Sequence, residues 1–215
     1  LRMMQYQLQQ NNLDQVAILI NQFNDYFPNA VLPIDPWLGF EMIDKIFKPL
    51  NDTESQKKML ASLVTLDADV NVKLIAVIRA LELGHYDLTE NMIKEHIVKG
   101  RMNIDSKLAL FFETINSIGY HSSIDPLIEN ILNKYDINDF SVSDKYSIFG
   151  VLYQIGYTEG IIKIGKSLLI EHYDNDLEDI DMQKYIADIL LESMGNQSYI
   201  DLCVEIFKND KIEGM

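Results

Sequence analysis

The densest run of ligating side chains in this 215-residue chain is DNDLEDID at 174–181. Asp174, Asp176 and Glu178 alternate as the first carboxylates of an EF-hand calcium loop do. That loop also needs a glycine at its sixth position, to turn the backbone, and a bidentate Glu at its twelfth. Asp179 and Tyr185 stand there, so the run reads as a solvated loop. DADVN at 67–71 fails at the same two places, held by Val72 and Ile78. The histidines are His85, His96, His121 and His172, and none has another histidine or Cys203 at metal-ligand spacing. There is no phosphate-cradling glycine loop, no nucleophile elbow and no HExxH; Ser, His and Asp are present, but no spacing joins them. The residues therefore predict no enzyme, no metal site and no cofactor. Trp37, in DPWLGFEMI behind an Asp35 cap and Pro36, reads as a core anchor or a ligand platform.

Charge narrows the partners. The chain carries 18 Lys/Arg and 33 Asp/Glu, a net −15. Residues 1–103 hold 10 basic and 13 acidic side chains, whereas 104–215 hold 8 and 20, so the second half alone carries −12. Such a balance disfavours contact with a phosphate backbone and is compatible with solubility or with a basic partner. One cysteine, Cys203 in the apolar pattern YIDLCVEIF, excludes an internal disulfide and reads as a small buried hydrophobe. With no secretory leader pattern and no apolar run of about 18 residues, the expected setting is the cytoplasm, with no membrane association.

The elements that must position any site repeat. SKLALFFETINSIGYHSSIDPLIENILNKY is followed by DKYSIFGVLYQIGYTEGIIKIGKSLLIEHY, each an apolar-periodic segment, a glycine turn and a second apolar-periodic segment. Turn glycines recur at Gly84, Gly119, Gly156 and Gly195, where a residue without Cβ suits a tight connection. Candidate helix caps fall at Asn12, Thr53, Asp87, Ser122, Thr158 and Ser198, several with an acid or Gln three residues on. A period of 34 to 41 residues predicts six antiparallel hairpins, stacked so that each covers its neighbour's apolar face. The expected helices are 2–10 and 13–26, 36–47 and 53–65, 70–83 and 88–99, 104–118 and 124–134, 142–155 and 159–172, and 181–194 and 198–209. NAVLPID at 29–35 reads as an extended loop. The residues one, four and eight before each turn glycine should form the buried seam: Leu83, Ala80 and Ala76, and their counterparts in the later copies.

ALELGHYDLTENMIKEHI, with Tyr86 two residues after Gly84, resembles the turn of a tetratricopeptide repeat, as does LQQNNLDQVAILINQF at 8–23. The family's small residues are replaced by Val77, Phe112, Phe149 and Asp188 in the first helix and by Thr89, Ile124, Ile161 and Ile200 in the second, and its closing proline is absent. The resemblance implies an all-α, right-handed, tetratricopeptide-like solenoid over 1–215 as one repeat domain. It implies a groove lined by residues three, six and ten before each glycine: Leu81, Ile78 and Leu74, then Asn116, Glu113 and Ala109, then Tyr153, Gly150 and Tyr146, then Glu192, Ile189 and Tyr185, with Arg79 beside them. Arg79, Glu113, Asn116, Tyr146, Tyr153 and Glu192 are the expected peptide-binding residues. An amide such as Asn116 holds an extended backbone by bonding N–H and C=O, and tyrosines supply contact area with few rotors to freeze.

The chain opens at Leu1 already inside a helical pattern, which suggests a C-terminal piece of a longer protein. In that form it is similar to the peptide-sensing domains of Rgg/PrgX-type transcriptional regulators. The expected partner is a short peptide or protein segment, with a homodimer left open; the alternative is an acidic interaction or inhibitor protein docking a basic partner.

Overall fold

In a computed structural model of the chain, the described residues are 2–10, 12, 15, 16, 18, 19, 22, 35–64, 68–100, 102–174 and 180–213. They are all-α, with no strand among them. Most of the expected second helix, the 29–35 loop except Asp35, and most of the 174–181 run lie outside this set.

Contacts divide the chain into two compact units, Leu1–Ile128 and Glu129–Met215. The first contains α1 (Arg2–Gln9), α2 (Pro36–Met42), α3 (Thr53–Leu63), α4 (Val70–Glu82), α5 (Tyr86–Met92) and α6 (Ile104–Ser117). Helix α2 runs on as a π-helical turn, Ile43–Phe47, and α5 as another, Ile93–Val98. Helix α7 (Asp125–Lys134) contains the division; α8 (Val142–Ile155), α9 (Thr158–Asp174), α10 (Ile180–Met194) and α11 (Asn196–Glu213) follow it. These bounds agree with the sequence-predicted helices to within a few residues. In the first unit α3 packs on α2 and α4, and α4 meets both its neighbour α5 and the next-but-one helix α6. In the second, α9 lies against both α8 and α10, and α10 against α11.

All four turn glycines adopt the left-handed conformation the sequence reading required, with φ between 70° and 94°. The caps fall differently. Asp52, not Thr53, caps α3, accepting from Ser55 N; His85 precedes α5; and His121 accepts from Ser123 N ahead of a short 3-10 turn. The displacement is one or two residues towards the N-terminus, where another polar side chain competes for the same free backbone N–H groups at Asp52 and His121. Asp35 does cap α2, accepting from Trp37 N and Leu38 N, with Pro36 at the first helical position.

The predicted seam is buried four and eight residues before the glycine in α4, α6 and α8, at Ala76 and Ala80, Phe111 and Ile115, Ile148 and Leu152. It is not buried one residue before it, where Leu83 and Ile155 are half-buried and Ile118 is exposed because the helix is already unwinding into the turn. In α10 it moves by one residue, to Ile186 and Leu190, while Leu191 is exposed. Leu190 is seated against Gly165 of α9, where a Cβ would stand 2.8 Å from its Cδ2. A shift of one residue corresponds to a buried face turned by about 100°. Trp37 is 60% exposed and tilts over Phe40, with centroids 6.0 Å apart, so it is not a core anchor.

A second periodic feature escaped the sequence reading. The fourth residue of α4, α6 and α8 is a lysine, and each is buried: Lys73, Lys107 and Lys145. Each helix begins with a side-chain cap, Asp69, Asn103 or Ser141, and the lysine's own N–H bonds that cap residue's carbonyl. The aliphatic stems complete the apolar layer of the first turns.

Candidate functional site

The six expected peptide-binding residues lie on four helices. Arg79 leaves α4 and is held by two acids, its Nη2 3.0 Å from Asp44 Oδ2 and its Nη1 2.7 Å from Glu82 Oε2. Its charge is thereby largely matched by the fold itself. Glu113 and Asn116 are exposed on one face of α6, with Ser117 Oγ donating to Glu113 Oε1 at 2.9 Å. Packing of α4 on α6 places Arg79 and this pair on neighbouring helices of the first unit. In the second unit Tyr146 and Tyr153 stand two turns apart on α8, the first half-buried and the second exposed, while Glu192 is exposed on α10.

Beneath these residues the outward line holds unevenly. Ala109, Glu113 and Asn116 are all exposed on α6, and Tyr185 and Glu192 on α10. Leu81 and Ile189, expected on the same line, are buried at 3% and 4%. Their positions follow the local apolar face rather than a fixed offset from the glycine, which is why a ruler laid on the turn misplaces them.

The first unit also contains a polar cleft that the sequence reading did not find. About 460 Å³ in volume, it is lined by the loop and first turn at Lys48, Asn51, Thr53, Gln56 and Lys57 and by the α4–α5 turn, residues 83–88. Its floor is a buried hydrogen-bonded pair. Gln56 Nε2 donates to Phe47 O at 3.1 Å, which leaves Gln56 Oε1, 3.0 Å from His85 Nε2, as the acceptor. His85 therefore carries its proton on Nε2 and leaves Nδ1 as a bare lone pair. Burial holds His85 below the ordinary histidine range; Lys57 acts in the same direction and Glu54 against it. The backbone fixes the residue further, since Thr89 N and Thr89 Oγ1 both donate to His85 O. Gln56, assigned from sequence to a capping box, instead bonds across the fold; nothing in TESQ reveals a partner 29 residues away.

Beside the cleft, the Tyr86 ring stacks on His121, with centroids 3.6 Å apart and planes 9° from parallel. His96 is lowered by burial first and by Lys73 second, Glu95 opposing, and its Nδ1 is sealed from solvent without a partner. Among the described residues no cluster of three or more His, Cys, Asp or Glu could hold a metal ion, and no helix is long and apolar enough to cross a membrane.

Comparison of the chain with protein-family models, with curated proteins and with solved structures finds no match.

Proposed function

We propose that the chain is a peptide- or protein-binding module: a right-handed array of stacked, tetratricopeptide-like helical hairpins that holds a short peptide or partner segment along its first helices. The observation that carries this reading is the outward placement of Glu113 and Asn116 on α6, Tyr153 on α8 and Glu192 on α10, above faces that are otherwise packed into the core. An exposed amide, two carboxylates and tyrosine rings are the groups that grip an extended backbone and its side chains. The neighbour pattern of the first unit supports the stacking, since α4 meets both its hairpin partner and the first helix of the next hairpin, and α3 likewise touches α5.

In its sharper form the module is the peptide-sensing part of a cytoplasmic transcriptional regulator of the Rgg/PrgX type, with DNA contact made elsewhere. The ligand would act by favouring one of two arrangements of the array. Isothermal titration against a panel of short hydrophobic peptides tests the reading. Saturable binding that weakens in Asn116→Ala and Tyr153→Ala is expected; absence of binding at millimolar peptide would sink it.

The uneven charge favours a second reading, in which the −12 half docks a basic protein. Affinity of that kind falls steeply as salt rises, whereas capture of an apolar peptide changes little.

A further inference from the structure

The cleft at the α4–α5 turn uses none of the six groove residues and stands apart from the peptide-binding proposal. Its chemistry is specific. In a chain of net −15, its lining carries Lys48 and Lys57 against a single carboxylate, Asp87. Lys57 is within reach of Glu54 at only 3.8 Å, and its side chain keeps 43% of its surface. Lys48 is exposed and makes no ion pair among the described residues. Two ammonium groups on the rim therefore have charge to offer an anion.

The floor offers the opposite polarity. His85 is 94% buried (6% exposed), its Nε2–H is consumed by Gln56, and Nδ1 has no partner among the described residues. Nδ1 is also not sealed from solvent, in contrast to His96 Nδ1. It can only accept, as can Asp87. Leu83 and Leu88 supply the apolar part of the wall. A complementary molecule thus carries an anion for the lysines, a hydrogen-bond donor next to it for His85 or Asp87, and a modest apolar side chain. The volume suits a ligand of that size.

We propose that this cleft binds an apolar amino-acid residue with a free carboxylate, the carboxylate lying between Lys48 and Lys57 and its neighbouring N–H turned to His85 Nδ1 or Asp87. A free amino acid and the C-terminal residue of a peptide share this chemistry.

Titration of the full chain with leucine, N-acetylleucine and N-acetylleucinamide, followed by amide NMR shifts, tests it. The carboxylate-bearing probes should give saturable shifts at residues 51–57 and 84–88, with Kd of about 1 mM or tighter. N-acetylleucinamide should bind at least tenfold more weakly, and so should N-acetylleucine to Lys57→Gln and to Lys48→Gln at the exposed rim, both with unchanged Tm. Tighter binding of N-acetylleucine than of leucine assigns the cleft to a peptide end, and the reverse order to a free amino acid. Equal binding of the amide, indifference to both lysine variants, or no shift at these residues overturns the proposal.

Discussion

Lys145 Nζ lies 2.7 Å from Glu171 Oε2, joining the first turns of α8 to the far end of α9. The lysine side chain is 3% exposed and the glutamate's 25%, so the pair is shielded on one side and wet on the other. Removing the acid strands an ammonium group in the core, while removing the base leaves a carboxylate that can turn to water.

Glu171→Gln should accordingly destabilise by about 2–3 kcal/mol, less than a fully buried pair because Glu171 is partly solvated. Lys145→Met, which keeps the stem and drops the charge, should change stability by less than about 1 kcal/mol. Urea denaturation of both variants checks this; equal losses would show that the pair, not the buried stem, holds these helices together.

Two glycines on one helix should respond in opposite senses. Gly156 ends α8 at φ +70°, so Gly156→Ala should cost about 1–2 kcal/mol. Gly150 lies within α8, with nothing within 4 Å of where a Cβ would stand. Gly150→Ala should stabilise by about 0.5–1 kcal/mol through the backbone alone. Thermal melts distinguish them, and a loss at Gly150 would mean the helix interior is less open than described.

His85 and His96 both titrate below the ordinary histidine value in the folded chain, mainly through burial. In the unfolded chain they take protons near pH 6.5. The stability tied to their neutral forms is therefore complete above pH ~6.5 and lost as pH falls from there through the folded values. The charges facing them are Lys57 and Glu54 for His85, and Lys73 and Glu95 for His96. Urea midpoints at about pH 7.5 and 5.5 should differ, and the His85→Gln/His96→Gln double variant should flatten that difference. An unchanged slope would place the acid sensitivity elsewhere.

Asn116 and Tyr153 are exposed, so Asn116→Ala and Tyr153→Ala should shift stability by no more than about 0.5 kcal/mol. If the peptide-binding proposal holds, each should nevertheless weaken peptide affinity by about 1 kcal/mol or more. Calorimetry paired with melts separates the two effects, and a variant that lost both would mark a structural residue instead.

How much of this was legible beforehand depended on the range of the interaction. Helix bounds and the left-handed turns at Gly84, Gly119, Gly156 and Gly195 are set by residues a few positions apart, and the periodicity exposed them. Caps slipped by one or two residues because several polar side chains compete at each turn: Asp52 with Thr53, His121 with Ser122. The buried positions of Leu81 and Ile189 and the exposure of Trp37 depend on which helix lies opposite, which local spacing does not encode. The cleft was invisible for the same reason, since Gln56 meets His85 across 29 residues. Lys73, Lys107 and Lys145 carry a local signal, as each follows a capping residue by four, but lysine is a residue type seldom buried, so the spacing alone does not mark them as core.

Lys107 is fully enclosed. Reagents that acylate amines at the water boundary should therefore leave it untouched while tagging Lys48 and Lys58, and mass spectrometry would find it modified only after the helices around it part. This one amine thus serves as a built-in gauge of intactness for the first unit, readable on the unmutated chain.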